Sequence, residues 1–182
     1  MPVYVAMLRG INVGGHKRIK MDQLRKSFEA LGCKQVKTFI QSGNVVFNAS
    51  KLSLASISRK IEGRILRDFG FSVSVITRTQ DEMDKAVHSN PFLKQSGIDQ
   101  SKLHVTFLSE VPAPPALKKF EALIAAPDQS CCVGKEIYFY LPNGVSQSSW
   151  AKTPWERTLS VVTTTRNWKT VNSVYQMCLS CE

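Results

Sequence analysis

Apolar residues in the first part of the chain recur at the spacings of strands and helices. An unbroken apolar run over residues 3–8 predicts a strand covered on both faces. The elements predicted after it are a helix, two strands, a helix and a strand, over residues 21–31, 36–40, 45–47, 57–69 and 71–75. This β-α-β-β-α-β order is that of a split βαβ unit, so residues 1–78 are predicted to form a ferredoxin-like half. The two helices are predicted to share one core through their apolar faces: Met21, Leu24, Phe28, Ile57, Ile61 and Ile65.

Residues 79–182 repeat most of this order. The pattern predicts a helix, a strand, a helix and a hairpin, over residues 81–89, 103–107, 116–125 and 131–141. An ambiguous stretch over residues 150–159 follows, and then a helix after Thr165. No final strand is visible, so this half is either incomplete or permuted. We therefore predict an α+β fold of two tandem ferredoxin-like halves, residues 1–78 and 79–182, packed together.

The predicted topology brings two polar segments to the same edge of the first sheet. In a split βαβ unit the first and second strands run parallel, with the third strand between them. The loop after the first strand and the turn after the second must then emerge together. These segments are residues 9–18 and residues 41–44, which we expect to be neighbours in space.

The loop over residues 9–18 joins glycines to positive charge. Gly10, Gly14 and Gly15 can turn backbone N–H groups towards an anion, and Arg9, His16, Lys17 and Arg18 add positive charge around them. The net charge of the chain is +10, and its first 50 residues hold eight Lys and Arg against two Asp and Glu. Two other interpretations remain open, a wide turn whose glycines only permit positive φ and a contact with a partner protein.

Neutral polar side chains at the same edge are suited to orienting a ligand. They are Asn12 in the loop and Gln41, Ser42 and Asn44 in the turn. The glycine spacing is neither the dinucleotide fingerprint nor a Walker loop. The pattern therefore predicts an anion site without naming the anion.

A second candidate cluster lies near the predicted last helix. With Thr165 as N-cap, Arg166 and Asn167 fall in the first helical turn and offer another anion-accepting helix start. The alternative is structural, with Trp168 filling the core and Arg166 paired with a carboxylate. Both interpretations stay open from the sequence.

Composition narrows the class of protein. The chain has 43% hydrophobic and 21% charged residues, typical of a globular protein, and no apolar run approaches the roughly 20 residues of a membrane span. Five cysteines without a signal-peptide pattern favour reduced thiols, so we expect a cytoplasmic protein that does not associate with membranes. The spacing Cys178-x-x-Cys181 is a weak zinc signal, and we expect no metal and no cofactor.

Two functions of different classes agree with the basic edge. The first is a binding module for a phosphate-bearing partner, either a nucleotide or nucleic acid. The second is an enzyme acting on a small anionic substrate, with Ser42, Asn44 or His16 at the same edge. A deep pocket would favour the enzyme and a flat basic stripe would favour nucleic acid. The sequence decides neither this nor the oligomeric state.

Several short motifs resemble a known bacterial family. Residues 8–15 (LRGINVGG), 19–21 (IKM) and 40–47 (IQSGNVVF) resemble the domain-of-unknown-function 1697 family. Residues 90–92 (NPF) and 164–171 (TTRNWKTV) are similar to that family's later motifs. The resemblance spans nearly the whole chain. It implies a duplicated, ferredoxin-like α+β fold in two domains and no established activity.

Overall fold

Within residues 1–181, which the computed structural model describes, the chain forms two four-stranded antiparallel sheets with helices. The α+β prediction is confirmed. In chain order, the strands and α-helices are β1 (Val3–Leu8), α1 (Met21–Glu29), β2 (Lys34–Phe39), β3 (Asn44–Asn48), α2 (Leu54–Phe69), β4 (Val75–Thr79), α3 (Gln80–His88), β5 (Leu103–Leu108), α4 (Pro114–Glu121), β6 (Gln129–Val133), β7 (Glu136–Tyr140), α5 (Ser149–Lys152), α6 (Trp155–Leu159), β8 (Thr163–Asn167) and α7 (Trp168–Leu179).

The first sheet has the strand order β2-β3-β1-β4, and every neighbouring pair is antiparallel. Strands β1 and β2 are therefore parallel to each other, with β3 between them, as the sequence predicted. In the centre of the sheet Ala6 lies opposite Val45 on one side and Thr77 on the other. This arrangement brings the end of β1 and the end of β2 to the same edge.

Helices α1 and α2 supply the core on one face of this sheet. Leu24 and Phe28 of α1 and the isoleucines at positions 57, 61 and 65 of α2 are buried in one cluster, and Met21 packs against it partly buried. The predicted shared core is confirmed. Burying a side chain of this size contributes roughly 1.5–3 kcal/mol. Helix α2 begins where the Ser53 hydroxyl accepts a hydrogen bond from the Ser56 N–H, and it ends at Gly70 in the left-handed conformation.

The second sheet has the order β6-β7-β5-β8, again antiparallel throughout. An aromatic cluster of Phe120, Phe139 and Trp155 lies in its core, with ring centroids 5.6–6.0 Å apart. The two sheets, each with its helices, fit two tandem halves.

Strand β8 corrects the sequence prediction for residues 163–167. We expected a helix to begin after Thr165 and no final strand, but Thr163–Asn167 pairs with β5 and helix α7 starts at Trp168. Threonine is β-branched and suits a strand, but it leaves no apolar alternation in the sequence. Thr163 and Thr164 are nevertheless buried in the folded protein.

Contacts between residues divide the chain into two compact units. Unit 1 comprises Met1–Lys85 and the chain from Asn172 onward, and unit 2 comprises Ala86–Val171. The end of the chain is tied to the first sheet, since the Lys37 ammonium donates to the Ser180 carbonyl oxygen at 3.2 Å. The predicted division into halves at residue 78 was based on the order of strands and helices along the chain, and it stays a prediction.

Gly43 lets the β2–β3 turn close on the end of β1. Its carbonyl oxygen accepts a hydrogen bond of 2.8 Å from the Leu8 N–H, and its φ is +80°. A Cβ at this position would lie 2.8 Å from the Leu8 Cβ and 2.9 Å from the Ile11 Cδ1. Neither neighbour can yield easily, because both are fully buried. The turn therefore requires glycine for two separate reasons.

Gly43→Ala is expected to lower the free energy of unfolding by about 2–4 kcal/mol, combining overpacking with the strain of positive φ. Gly70→Ala is the matched control, because Gly70 has φ +76° but nothing within 4 Å of its missing Cβ. It should cost only about 1–2 kcal/mol. Urea unfolding followed by circular dichroism measures both. Equal losses in the two variants would contradict the close approach.

Candidate functional site

The side chain of Asn12 organises the loop between β1 and α1. Its Oδ1 accepts a hydrogen bond from the Ile19 N–H at 2.8 Å, and its Nδ2 donates to the carbonyl oxygens of Ile19 (2.9 Å) and Gln41 (2.8 Å). The φ of Asn12 is +55°, which asparagine adopts more readily than most residues. One amide thus joins both ends of the loop to the β2–β3 turn. The prediction that these two segments are neighbours is confirmed.

The tip of the loop is a tight turn. The His16 N–H donates to the Val13 carbonyl oxygen at 3.0 Å, and Gly14 and Gly15 between them have φ of +58° and +79°. Positive φ at both central residues is the geometry of a type I′ turn. A side chain at position 15 would also meet the guanidinium of Arg18, whose Nη2 lies 3.5 Å from the missing Cβ. The glycines permit the turn and leave room for this cation.

A groove of about 840 Å³ opens beside the loop, within unit 1. Four residues of the predicted edge line it: Asn12, Gly15, Arg18 and Gln41. The other lining comes from the end of the loop and the first turns of α1, and includes the cationic side chains of Lys20 and Arg25. The groove is therefore the place where the predicted edge has room for a ligand.

The start of α1 forms one wall of this groove. Lys20 occupies the N-cap position, and no side chain caps the helix there. The first intrahelical bond runs from the Leu24 N–H to the Lys20 carbonyl oxygen, so the N–H groups of Met21, Asp22 and Gln23 precede the hydrogen-bonded ladder. All three of these residues line the groove. The positive end of the helix dipole is thus exposed where the cations gather.

Charges around the groove are mostly positive. Arg18 and Lys20 are exposed, while Arg25 is half-buried and held by a 3.0 Å hydrogen bond from its Nη1 to the Thr38 hydroxyl. Asp22 carries the one negative side chain among the lining residues. Arg25 is consequently a fixed donor, and Arg18 and Lys20 remain free to follow a ligand in solvent.

Arg9, Gly10 and Lys17 lie away from the groove lining. The Arg9 N–H donates to the Ser74 carbonyl oxygen at 2.9 Å, and the Lys17 ammonium donates to the Ser72 carbonyl oxygen at 2.8 Å. These bonds place the backbone of Arg9 and the ammonium group of Lys17 beside the loop before β4. Any role of these residues in ligand binding stays a prediction.

The side chains of Ser42 and Asn44 form hydrogen bonds within the β2–β3 hairpin. Asn44 is only 1% exposed, and its Nδ2 donates to the Ser42 hydroxyl at 2.9 Å and to the Phe39 carbonyl oxygen at 3.3 Å. These bonds fix the β2–β3 turn. A direct contact of either side chain with a ligand, or a catalytic role, remains a prediction.

Arg166 and Asn167 belong to unit 2, and their predicted setting is wrong. Asn167, not Thr165, caps helix α7, because its Oδ1 accepts a hydrogen bond from the Thr170 N–H at 2.8 Å. Arg166 lies on strand β8 and donates through Nη1 to the Thr164 hydroxyl and the Thr165 carbonyl oxygen. Burial lowers the pKa of Arg166 to about 10, so it stays charged at neutral pH. The helix start is already capped from within the chain.

The Cys178-x-x-Cys181 spacing was the one metal signal in the sequence, and both cysteines are buried. Burial raises the pKa of the Cys178 thiol to about 12. Among residues 1–181, no group of three or more His, Cys, Asp and Glu side chains could hold a metal ion. In this same part of the chain, no helix has the length and hydropathy needed to cross a membrane.

Sequence reasoning predicted the loop and the position of helix α1, but it did not include the N–H groups at the start of that helix in the site. A Ser, Thr, Asp or Asn cap marks the start of many helices in a sequence, and Lys20 is none of these. The one indication in the sequence that these N–H groups are available to a ligand was that no capping residue precedes Met21. Arg25 could be found only once α1 was placed against β2.

A family model described as "protein of unknown function (DUF1697)" matches residues 1–138. The chain belongs to this family. The match covers the motifs at residues 8–15 and 40–47 and ends before the one at 164–171. The structure of a conserved bacterial protein from Streptococcus pneumoniae is similar, with a TM-score of 0.77 and 24% sequence identity over 97% of this chain and 98% of the other. At that identity the likeness shows the fold alone. No curated protein matches the chain.

Asn12→Gly is expected to destabilise the protein by about 1–3 kcal/mol, because it removes three hydrogen bonds while still permitting positive φ. Asn12→Ala should cost about 1 kcal/mol more, since alanine disfavours that φ. Urea unfolding gives both values, and hydrogen exchange at the Ile19 amide should quicken in each variant. Unchanged exchange at Ile19 in Asn12→Gly would show that Asn12 does not hold the loop.

Proposed function

We propose that this protein binds a small phosphate-bearing molecule, of about nucleotide size, in the groove between the β1–α1 loop and the start of α1. The observation that carries the proposal is the convergence of an uncapped helix N-terminus and three cationic side chains on one groove.

The backbone at the start of α1 supplies suitable donors. The N–H groups of Met21, Asp22 and Gln23 lack intrahelical acceptors, and N–H groups at this position commonly bind phosphate. Helix α1 has nine residues, so its dipole is developed over more than two turns. These donors are fixed before a ligand arrives, which lowers the entropy lost on binding.

The cations complement the backbone donors. The planar guanidinium groups of Arg18 and Arg25 suit the bidentate recognition of phosphate oxygens, and Lys20 adds a mobile point charge. Asp22 opposes them and should limit affinity for highly charged ligands. Arg9 and Lys17, outside the lining, would contribute at long range by raising the local concentration of anions.

The volume of the groove favours a small molecule over nucleic acid. Pockets for small ligands commonly measure about 300–1,000 Å³, and this groove of about 840 Å³ falls within that range. A nucleic acid would be served better by an extended basic stripe. Asn12 and Gln41 on the groove wall offer amide groups to the uncharged part of the ligand.

A finer description of the fold is part of the proposal. The order β-α-β-β-α-β recurs along the chain, and the strand orders β2-β3-β1-β4 and β6-β7-β5-β8 correspond position by position. Both facts support two ferredoxin-like halves, residues 1–78 and 79–182, related by duplication. The unpaired cysteines suit a reducing compartment, so we place the protein in the cytoplasm.

Single substitutions in the groove should change ligand affinity with predictable signs. Calorimetric titration with pyrophosphate and with nucleoside mono-, di- and triphosphates should identify a ligand of the wild type. Arg18→Ala should then weaken its binding about tenfold to a hundredfold, as expected for a lost charge-assisted contact. Asp22→Asn should tighten it, because a repelling charge is removed. Lys119→Ala removes another exposed cation, from a groove of unit 2, and should leave affinity unchanged.

The proposal fails if none of these probes binds the wild type at millimolar concentration, or if Lys119→Ala weakens binding as much as Arg18→Ala.

Salt dependence separates a small ligand from nucleic acid. Binding of a nucleotide in the groove should weaken only slightly as salt rises, whereas an oligonucleotide would lose affinity steeply on a log–log plot. Because Arg9 and Lys17 lie outside the lining, Arg9→Ala and Lys17→Ala should matter mainly at low ionic strength. Titrations at two salt concentrations test this. A steep slope with oligonucleotides, together with no binding of free nucleotides, would point to nucleic acid instead.

A further inference from the structure

The edge strands of the two sheets differ in how they are protected. Edge strands expose unpaired backbone groups, and proteins commonly guard them with lysines, bulges or irregular pairing. Strand β2 has these safeguards, because Lys34 and Lys37 lie on it and its register with β3 shifts between them. Strands β4 and β8, at the opposite edges, each carry an arginine, Arg78 and Arg166.

Strand β6 has none of these safeguards. Its five residues, QSCCV, include no charge and no proline, and all five pair in regular register with β7. Each of the five is at least partly exposed, and Val133 is 40% exposed. This edge of the second sheet is therefore a regularly paired, uncharged and partly exposed strand.

The turn after β6 decides which backbone groups point outward. Val133 and Glu136 flank a two-residue turn in which Gly134 has φ +60°. In such a hairpin the flanking pair is hydrogen-bonded, and hydrogen-bonded pairs then alternate along the ladder. Cys131 and Gln129 accordingly bond to β7. The N–H and C=O groups of the residues between them, 130 and 132, point away from the sheet.

We propose that β6 pairs antiparallel with β6 of a second copy of this chain, about a two-fold axis at Cys131. In this register Ser130 of one copy faces Cys132 of the other, and all the outward groups of both residues form hydrogen bonds. The contact is isologous, as in most homodimers. The strand carries no charge, so no like charges oppose each other within it, although the chain has a net charge of +10.

The size of the contact makes the dimer weak. One pair of five-residue strands buries far less than the roughly 1,200–2,000 Å² of a stable interface. The dimer should therefore form at high protein concentration and dissociate on dilution. The lining of the ligand groove belongs to unit 1, whereas β6 belongs to unit 2.

The register predicts a specific cross-link. On the two-fold axis Cys131 faces Cys131 in a non-hydrogen-bonded pair, for which Cα atoms are about 4.5 Å apart. Disulfides span Cα distances of about 4.4–6.8 Å, so oxidation can join the two copies there. Cys132 is on the other face of the strand and packs against the core of unit 2.

The test combines sedimentation with cross-linking of the full chain. Under reducing conditions, sedimentation velocity from about 1 to 500 µM should show a concentration-dependent dimer for the wild type, Cys131→Ser and Cys132→Ser. Diamide, which takes up two electrons and two protons per disulfide formed, should cross-link the wild type and Cys132→Ser. Cys131→Ser should stay uncross-linked.

Two disruptive variants complete the experiment. Cys131→Lys places two lysines opposite each other, and Ser130→Pro removes an outward N–H that β7 does not use. Each should sediment as a monomer and have the circular dichroism spectrum of the wild type. If one of the two variants does not fold, the other still tests the proposal. A wild type that stays monomeric throughout, a dimer that persists in a folded disruptive variant, or equal cross-linking in Cys131→Ser would each overturn the proposal.

Discussion

The groove depends on the absence of a side chain at Gly43. A Cβ there would lie within 3 Å of Leu8 and Ile11, so only glycine lets the β2–β3 turn lie against the end of β1. This closure brings the Gln41 carbonyl oxygen within 2.8 Å of the Asn12 amide. Asn12 in turn holds Ile19, which immediately precedes Lys20 and the start of α1. The position of the helix N-terminus thus follows from a close contact between two backbone segments about 30 residues apart.

Two grooves of the molecule show how the start of a helix affects the lining of a groove. In unit 2 a groove of about 560 Å³ is lined by the loop after β5, by the helix that follows and by residues 158–161. That helix, α4, begins with Pro114 and Pro115, which have no N–H to offer. Glu110 and Lys119 on its lining oppose each other in charge. The proposed anion site therefore belongs to the groove of unit 1, where the start of α1 keeps its N–H donors.

The structure could be predicted from the sequence in those places where a single physical rule decides it. The spacing of apolar residues predicted the helices that pack on the first sheet. The geometry of a split βαβ unit predicted that the loop after β1 and the β2–β3 turn are neighbours. The sequence was insufficient where tertiary context decides. Thr163 and Thr164 become buried only because β5 lies beside them, and nothing apolar in their own stretch indicates a strand. The start of α1 was located correctly, but its place in the groove wall was not predicted, because no residue type in the sequence marks an uncapped helix end.

The tie between the first sheet and the segment from Asn172 onward has a consequence for how the protein is made. Unit 2 is continuous along the chain, while unit 1 needs both its beginning and that later segment. A ribosome releases residues in order, so every part of unit 2 is available before unit 1 can be completed. The unit whose sheet is synthesised first is therefore completed last, and until then that sheet must persist without the bonds that Lys37 and Asn48 make to Ser180 and Cys181.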